Sequence, residues 1–361
     1  MNGPIATLPR SAPDGVLVGP LGLRRRYRVL LVTLAGLLPA AVVFTAGISA
    51  GSSTLSIGDV VRTLAGAGTR ASEFIVFELR LPRVAAGAAA GLCLGLAGAL
   101  TQTFSRNPLA TPDILGVTSG ASAGAVAAIV LGGGGYSVGA SLLGFGIPVV
   151  ATVGGLVAAV AVYGLAWRGG VDSYRIILIG IGVTASLGGL TGYLLVHAQL
   201  TQATAATQWL VGSLSGVSWA SVWPMVVVLA LVTPLALAES AALGITQLGD
   251  DFSTGLGVSL QRHRLVVIGL AVVLTAAAVS AAGPVEFVAF VAPQLARRLA
   301  GTPRPPLLAS ALAGAVVVLA ADTVARVALP GELPVGILTV IVGAPYLIWL
   351  LTRRTHKEGL S

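Results

Sequence analysis

Little in this sequence is equipped to make or break bonds. Lys357 is the only lysine among 21 basic residues, so no phosphate-cradling G-x-x-x-x-G-K-[ST] loop exists, and ATP-driven work needs another chain. The three histidines, His197, His263 and His356, are too far apart to give metal-ligand spacing. Cys93 is the one cysteine, which excludes a disulfide within the chain and reads as a small packing residue in an apolar run. Carboxylates in apolar surroundings come down to Glu286 and Asp322, fewer than a proton relay through a membrane uses. No paired carboxylates, histidine cluster or nucleophile and base share an apolar segment, which disfavours an intramembrane enzyme. What remains is recognition chemistry: the arginines Arg80, Arg83 and Arg326, the acidic pair Asp250 and Asp251, and the turn-forming Asn107.

These residues are separated by long apolar runs. Of 361 residues 55% are apolar and 9% charged, with a mean hydropathy of +0.94, whereas a soluble domain carries about 25% charged residues. The chain therefore reads as an all-α polytopic membrane protein. Its 48 glycines suit helices that approach closely in lipid. The +8 formal charge is set by arginines between apolar runs and at the termini, so it reads as topology, with no call for nucleic acid.

Charge-free stretches predict ten spans. The first runs from Val29 to about Ala50, and the second from Val84 to about Phe104, after the punctuation Arg80-Leu81-Pro82-Arg83. From Ile114 to Trp167 the uncharged stretch is too long for one helix of about 20 residues, and Gly132 to Gly135 breaks it into spans three and four. Span five starts at Ile176. His197 to Ser221 reads as an external loop with an interfacial half-helix carrying Trp209 and Trp219, and span six ends near Glu239. Residues 239–264 form a polar interlude before span seven, Leu265 to about Ala282. Span eight, Phe287 to Leu299, covers only about 20 Å of a core about 30 Å thick, so it starts below the surface, broken at Gly283-Pro284. Spans nine (Pro306 to Val327) and ten (Leu333 to Thr352) complete the bundle.

Ten spans put both termini on one side. Arg24 to Arg28, Arg168, Arg262, Arg264, Arg297, Arg298, Arg353, Arg354 and Lys357 all fall there, and the positive-inside rule makes that side cytoplasmic. Residues 1–27 read as a disordered cytoplasmic tail, 28–354 as the transmembrane domain and 355–361 as a second cytoplasmic tail. Arg80, Arg83 and Arg326 are exceptions placed outside. An arginine-led span followed by a Pro-containing turn occurs in both halves (Arg83 through Asn107-Pro108, Arg264 through Gly283-Pro284), as in a pseudo-symmetric repeat.

Three groups of motifs, in this order and spacing, resemble the FecCD family of ABC-importer permeases for iron-siderophores, haem and cobalamin. The first is Glu78-Leu79-Arg80-Leu81-Pro82-Arg83, a Gly/Ala-rich span, then Ser105-Arg106-Asn107-Pro108-Leu109-Ala110-Thr111-Pro112-Asp113-Ile114-Leu115-Gly116. The second is Leu248-Gly249-Asp250-Asp251 leading to Gly255-Leu256-Gly257-Val258. The third comprises Gly283-Pro284-Val285-Glu286-Phe287-Val288 through Ala292-Pro293-Gln294, Ala320-Ala321-Asp322-Thr323-Val324-Ala325-Arg326, Glu332-Leu333-Pro334-Val335-Gly336 and Gly343-Ala344-Pro345. The resemblance covers about residues 28 to 354 and is closest to the enterobactin-like ferric-catecholate branch. It implies a type II ABC importer permease fold in the prokaryotic cytoplasmic (inner) membrane. It also implies an ABC ATPase dimer holding the ATP and Mg, a sister permease in a heterodimer (with a homodimer as the alternative), and an extracytoplasmic substrate-binding protein. The implied cargo is a ferric siderophore, with cobalamin or haem as alternatives; an ion-coupled secondary carrier is the rival from another class. The chain itself is expected to bind no metal or cofactor.

Carried over residue by residue, the resemblance gives Asn107 and Leu109 a place in the cytoplasmic gate, with Ser173 and Tyr174 opposite; read locally, Asn107-Pro108 simply fixes a turn. Gly249, Asp250, Asp251, Gly255, Leu256 and Gly257 become the ATPase-coupling helix, the glycines permitting close backbone contact. Locally, the aspartates suit a helix N-terminus. Arg80, Arg83 and Arg326 become the patch that meets glutamates of the binding protein, against snorkelling at the interface and, for Arg326, an intrahelical pair with Asp322. Glu286 departs from the family pattern, where a small residue is usual. Either it caps span eight or it faces the pathway and discriminates against anionic cargo. Gln294 stands where many relatives have His.

Overall fold

The computed structural model describes residues 16–18, 23–25, 27–50, 56–132, 146–168, 170, 173–327 and 332–358. Inside the segment expected to be a structureless tail, β1 (Val16–Val18) pairs antiparallel with β2 (Leu23–Arg25). The β-branched Val16 and Val18 favour that ribbon.

Helix α1 (Tyr27–Ser49) is apolar all round, and its hydroxyls turn back on the helix: Thr33 Oγ1 donates to the Val29 carbonyl at 2.7 Å and Thr45 Oγ1 to that of Ala41 at 2.9 Å. That satisfies them without water. The short amphipathic α2 (Ile57–Leu64) starts at a capping box, with Ser56 and Asp59 exchanging hydrogen bonds. Helix α3 runs unbroken from Arg70 to Phe104, through the Arg80-Leu81-Pro82-Arg83 sequence expected to punctuate it. The reason is local: Phe74–Arg80 is a π-helix, and the Leu81 N–H bonds the Val76 carbonyl five residues back. The widened turn relieves the clash between a proline ring and the carbonyl four residues earlier.

The remaining helices are α4 (Val117–Leu131), α5 (Ile147–Ala166), α6 (Ser173–Val196), α7 (Leu200–Leu210), α8 (Trp219–Ala238), α9 (Ser240–Ile245), α10 (Asp250–Gly255), α11 (Leu260–Ala282), α12 (Val288–Ala300), α13 (Leu307–Val327) and α14 (Val335–Glu358). Among the described residues, seven helices are long and apolar enough to cross a membrane. The other three expected spans are also helical, and α4 and α12, of 15 and 13 residues, reach only about 22 and 20 Å. Each follows a long buried helix and an irregular break, α3 then α4, α11 then α12, so the repeated order seen in the sequence is repeated in the fold. Gly132 caps α4, while Gly133 to Gly135 lie outside the described residues. Trp209 is carried by the half-helix α7 as expected, but Trp219 is not: it opens the spanning helix α8 and donates Nε1–H to the Phe77 carbonyl at 2.9 Å.

The centre is α3, packed along α13, α11 and α12. Gly91 lies against Gly314, Gly95 against Ser310 and Gly98 against Ala289, backbone to backbone; a methyl group built on Gly98 would fall 1.9 Å from the Ala289 carbonyl oxygen. Small residues permit such contact where lipid gives helices no hydrophobic reason to associate. Gly98→Ala is therefore expected to lower stability by about 1 to 3 kcal/mol, the range for overpacking. Thermal denaturation of the detergent-solubilised protein checks this, and an unchanged midpoint would show that the seam has slack.

Candidate functional site

At one end of the bundle, α3 gives way to the loop 105–116. Ser105 Oγ donates to the Thr101 carbonyl at 2.7 Å, Arg106 adopts φ +51°, and Asn107 Oδ1 accepts from the Leu109 N–H at 2.9 Å. Asn107 thus makes the turn that its type favours, and the Leu109 side chain is left exposed. The loop is held from beneath. Gln294, fully buried on α12, donates Nε2–H to the Pro108 carbonyl at 2.8 Å and to Gln102 Oε1 at 2.6 Å. Gln102 in turn donates to the Phe290 carbonyl at 3.1 Å. This amide pair stitches the end of α3, the loop and α12 together.

Residues 239–264 wrap beside the loop as α9, a 3₁₀ turn (Thr246–Leu248) and α10. Gly249, at φ +112°, turns the chain into α10, where a side chain would be strained. Asp250 then joins three segments: it accepts from Arg106 of the loop at 2.5 Å and from Arg264 of α11 at 2.6 Å. Burial pushes its carboxyl up, but the hydrogen bonds and charges of Arg106 and Arg264 prevail and hold it below the ordinary carboxylate value. One turn earlier, Gln247 donates to the Thr103 carbonyl at 2.7 Å. The acidic-pair reading of a helix start is thus half of the account, because Asp250 faces inward to arginines while Asp251 is exposed. Gly255 and Leu256 are exposed, and Gly257 takes φ +83°.

Leu248, Phe252 and Leu256, 63%, 69% and 62% exposed, repeat every four residues along this segment. Of these only Leu256 stood out in the sequence. The spacing was readable, but three apolar residues carry little signal in a chain this apolar. Gln102 and Gln247 carried no pattern at all, and Arg106 and Gln294 entered only as members of motifs, since the partners of all four lie in other segments.

Ser173 is the first residue of α6, and Tyr174 beside it is 76% exposed. The approach of α6 to the loop is made lower down, where Gly180 packs beneath the Ile114 carbonyl.

At the opposite end, the three arginines expected to face a soluble partner turn inward. Arg80 donates Nη1–H to the carbonyls of Ile48 and Ser49 at 2.9 and 3.1 Å, and Arg326 reaches those of Ala50 and Gly47 at 2.9 and 3.0 Å. Both therefore satisfy the C-terminal carbonyls of α1, which a helix cannot bond internally. The i,i+4 pair of Arg326 with Asp322 forms at 3.1 Å, and Asp322, 1% exposed, also accepts from Arg83 at 3.0 Å. Arg83 spans onward to Glu332 at 2.8 Å, and Ser215 adds a bond at 3.2 Å. The hydrogen bond from Arg83 and its charge hold the Glu332 carboxyl below its ordinary value.

Towards this same end, Gly212, Pro284 and Gly336 meet: Ser213 N–H donates to the Ala282 carbonyl at 2.8 Å and Gly336 N–H to that of Gly212 at 3.1 Å. Phe287, at φ +64°, occupies the N-cap position of α12, so the capping role considered for Glu286 falls to its neighbour, and no side chain caps the helix. Glu286 is exposed instead. It lines one small cavity with Asp113 of the loop and Thr118 of α4, and a groove of about 250 Å³ with Leu210, Ile337 and Ile341. Among the described residues no group of three His, Cys, Asp or Glu side chains is placed to hold a metal.

This arrangement is a turn-forming loop tied to an exposed apolar segment, on glycine-seamed helices with two short, broken members. It matches known proteins over nearly its full length. The chain is 41% identical over 333 residues to the ferric enterobactin transport system permease protein FepG of Escherichia coli (strain K12), covering 92% of this chain and 98% of that protein. It is 38% identical to the achromobactin transport system permease protein CbrC of Dickeya dadantii (strain 3937), with 96% and 99% covered. A solved chain described as an inward-facing conformation of a metal-chelate type ABC transporter superposes with a TM-score of 0.77 at 27% identity, over 90% of this chain and 99% of its own. The profile of the FecCD transport family spans residues 37–353, and with it the fold and the loop geometry find a common explanation: this chain belongs to the FecCD transport family.

Proposed function

We propose that the chain is the transmembrane permease subunit of an ATP-driven importer that moves a ferric siderophore delivered by a substrate-binding protein. The observation that carries this reading is the full-length match to siderophore permeases of the same family. An ABC ATPase dimer, which holds the ATP and Mg, docks on the Leu248, Phe252 and Leu256 face with Gly255 and Gly257. A sister permease completes the pathway as a heterodimer, with both termini on the cytoplasmic side of the inner membrane. ATPase movement pulls on α10, and the Asp250–Arg106 pair and the Gln247–Thr103 bond pass it to the loop carrying Asn107 and Leu109. Arg80 and Arg326, buried as they are, contribute to binding-protein docking by fixing the end of α1, with Arg83 and Glu332 nearer the contact.

The test is co-expression with ATPase, sister permease and binding protein, followed by labelled ferric-siderophore uptake and ATP hydrolysis in liposomes. ATP-dependent uptake abolished by disrupting Gly255-Leu256-Gly257 is the expected result. Uptake by this chain alone on a proton or sodium gradient would replace it with a secondary carrier. Cobalamin belongs in the same assay as competing cargo, because the cobalamin import system permease protein BtuC of Halobacterium salinarum is 38% identical over 285 residues, covering 78% of this chain and 74% of that protein.

Glu286 gives a second expected outcome. An exposed carboxylate beside Asp113 repels anionic cargo through a low-dielectric path. Glu286→Gln should raise uptake of negatively charged ferric siderophores relative to neutral ones by about two- to fivefold, about 0.4 to 1 kcal/mol of unfavourable interaction relieved. Identical relative rates for both cargo classes would remove Glu286 from selectivity.

A further inference from the structure

The loop 105–116 has two holds. One is the partly exposed pairing of Arg106 with Asp250. The other is Gln294, completely buried on α12, and it has the chemistry of a hold that can let go. Gln294 belongs to a chain of amides that begins at a helix defect. Pro293 has no N–H to give the Ala289 carbonyl four residues earlier. Gln102 of α3 makes good the loss, with Nε2 3.4 Å from that oxygen and 3.1 Å from the Phe290 carbonyl. Those two acceptors fix which way the Gln102 amide points, so its Oε1 turns to Gln294. Gln294 Nε2 then gives both hydrogens to acceptors, Gln102 Oε1 at 2.6 Å and the Pro108 carbonyl at 2.8 Å. Its own Oε1 is buried and accepts from no group among the described residues. Such an atom is costly inside a protein unless water reaches it. Water has the room: Gln294 lines a cavity of about 60 Å³ with Gln102, Arg106, Pro108 and Gln247, several times the about 10 to 15 Å³ that one molecule needs.

We propose that Gln294 is the latch of this loop, a positioning residue whose amide hands the Pro108 carbonyl to water from the cavity when the loop moves and takes it back when the loop returns. This role rests on the importer reading given above, in which ATPase movement reaches the loop. Two features make the hold reversible. Neither partner is charged, so release strands no buried ion, in contrast to the Asp322 network at the far end. The cavity also lies at the bond itself, so the Pro108 oxygen and the Gln294 N–H are both solvated once parted. What separates the latched from the released loop is then the net value of one neutral hydrogen bond, about two- to twelvefold in population.

Hydrogen exchange in the assembled transporter, reconstituted in lipid with its sister permease and ATPase, tests this. In the wild type, exchange over residues 105–116 should rise about two- to twelvefold when ATP is bound. Gln294→Met keeps the length of the side chain but has no N–H, so its loop should show the raised level without ATP. Gln294→His offers a ring N–H towards the same carbonyl and should restore protection to within about twofold of the wild type. A merely structural loss would instead loosen residues 91–100 of α3 as much as the loop. Equal exchange with and without ATP in the wild type overturns the latch. So does wild-type protection in Gln294→Met, equal loosening of residues 91–100, or a loop as loose in Gln294→His as in Gln294→Met. If Gln294→Met does not fold, the response of the wild type to ATP decides. None of these readings needs cargo, so they stand apart from the uptake assay, whose failure would overturn the importer reading instead.

Discussion

Replacing Asp322 with alanine should destabilise the folded protein by about 3 to 5 kcal/mol, the cost of breaking a buried ion pair from one side. The carboxylate is 1% exposed and serves two arginines, with Oδ1 accepting from Arg83 Nε and Nη2 at 3.1 and 3.0 Å and Oδ2 facing Arg326 Nε at 3.1 Å. Arg326 in turn holds the last carbonyls of α1, so loss of Asp322 leaves buried charge uncompensated and loosens the anchorage of that helix to α13. Glu332, 52% exposed and screened by solvent, is poorly placed to substitute. The variant should show a sharply lower thermal midpoint and reduced yield from membranes. Asp322→Asn keeps the acceptor oxygen and should fall between the two. The combined Arg83→Met, Asp322→Leu and Arg326→Met variant removes all three charges together and should recover most of the stability, because a buried ion network is often no better than a packed apolar one. A wild-type midpoint for Asp322→Ala would mean that water reaches the network and that its arginines are available to an outside partner.

That network also marks a boundary of what the sequence discloses. Each of the ten charge-free runs holds a helix among the described residues, and the count from Phe287 to Leu299 foretold a short α12 entered through a break at Gly283 and Pro284, because membrane thickness imposes a length that a sequence must meet. Arg80 and Arg326 announced themselves as exceptions to charge topology. Their partners could not be read, for they are backbone carbonyls of α1, which any sequence supplies. Three guanidinium groups against two carboxylates leave a single net positive charge where the arginines alone implied three. The run through Pro82 was hidden for a similar reason: a π-turn is a backbone accommodation with no residue signature. The loop 105–116 shows the same division. Asn107 is legible because its own side chain makes the turn, whereas Gln294 beneath it acquires meaning only from Gln102, 192 positions away in sequence.

Replacing Asp250 with alanine should leave the protein folded and uncouple it. Its carboxylate is 44% exposed, so each of its pairs contributes at most about 1 kcal/mol, too little to unfold a domain with an intact glycine-seamed centre. The pairs matter by position, since Arg106 sits one residue from Asn107 and adopts a left-handed backbone that costs energy for a side-chain-bearing residue. Asp250 holds that strained turn against α10 and α11. Removing both pairs shifts the balance of loop positions by about 1 to 2 kcal/mol, or about 5- to 30-fold in population. In liposomes holding the assembled transporter, uptake should drop by that factor while ATP hydrolysis continues. Asp251→Ala is the control, because this neighbour carries the same charge on the outer face of the same short helix and should change uptake by less than about twofold. Acid should reproduce the effect. The folded carboxyl lies below its ordinary value, so the tie is complete above the unfolded value and is lost only as pH falls through the lower, folded one; it therefore persists through mildly acidic conditions. Equal uptake by the Asp250→Ala and Asp251→Ala variants would show that movement reaches the loop by another route, and Gln247, bonded to the Thr103 carbonyl at the end of α3, is the next residue to change.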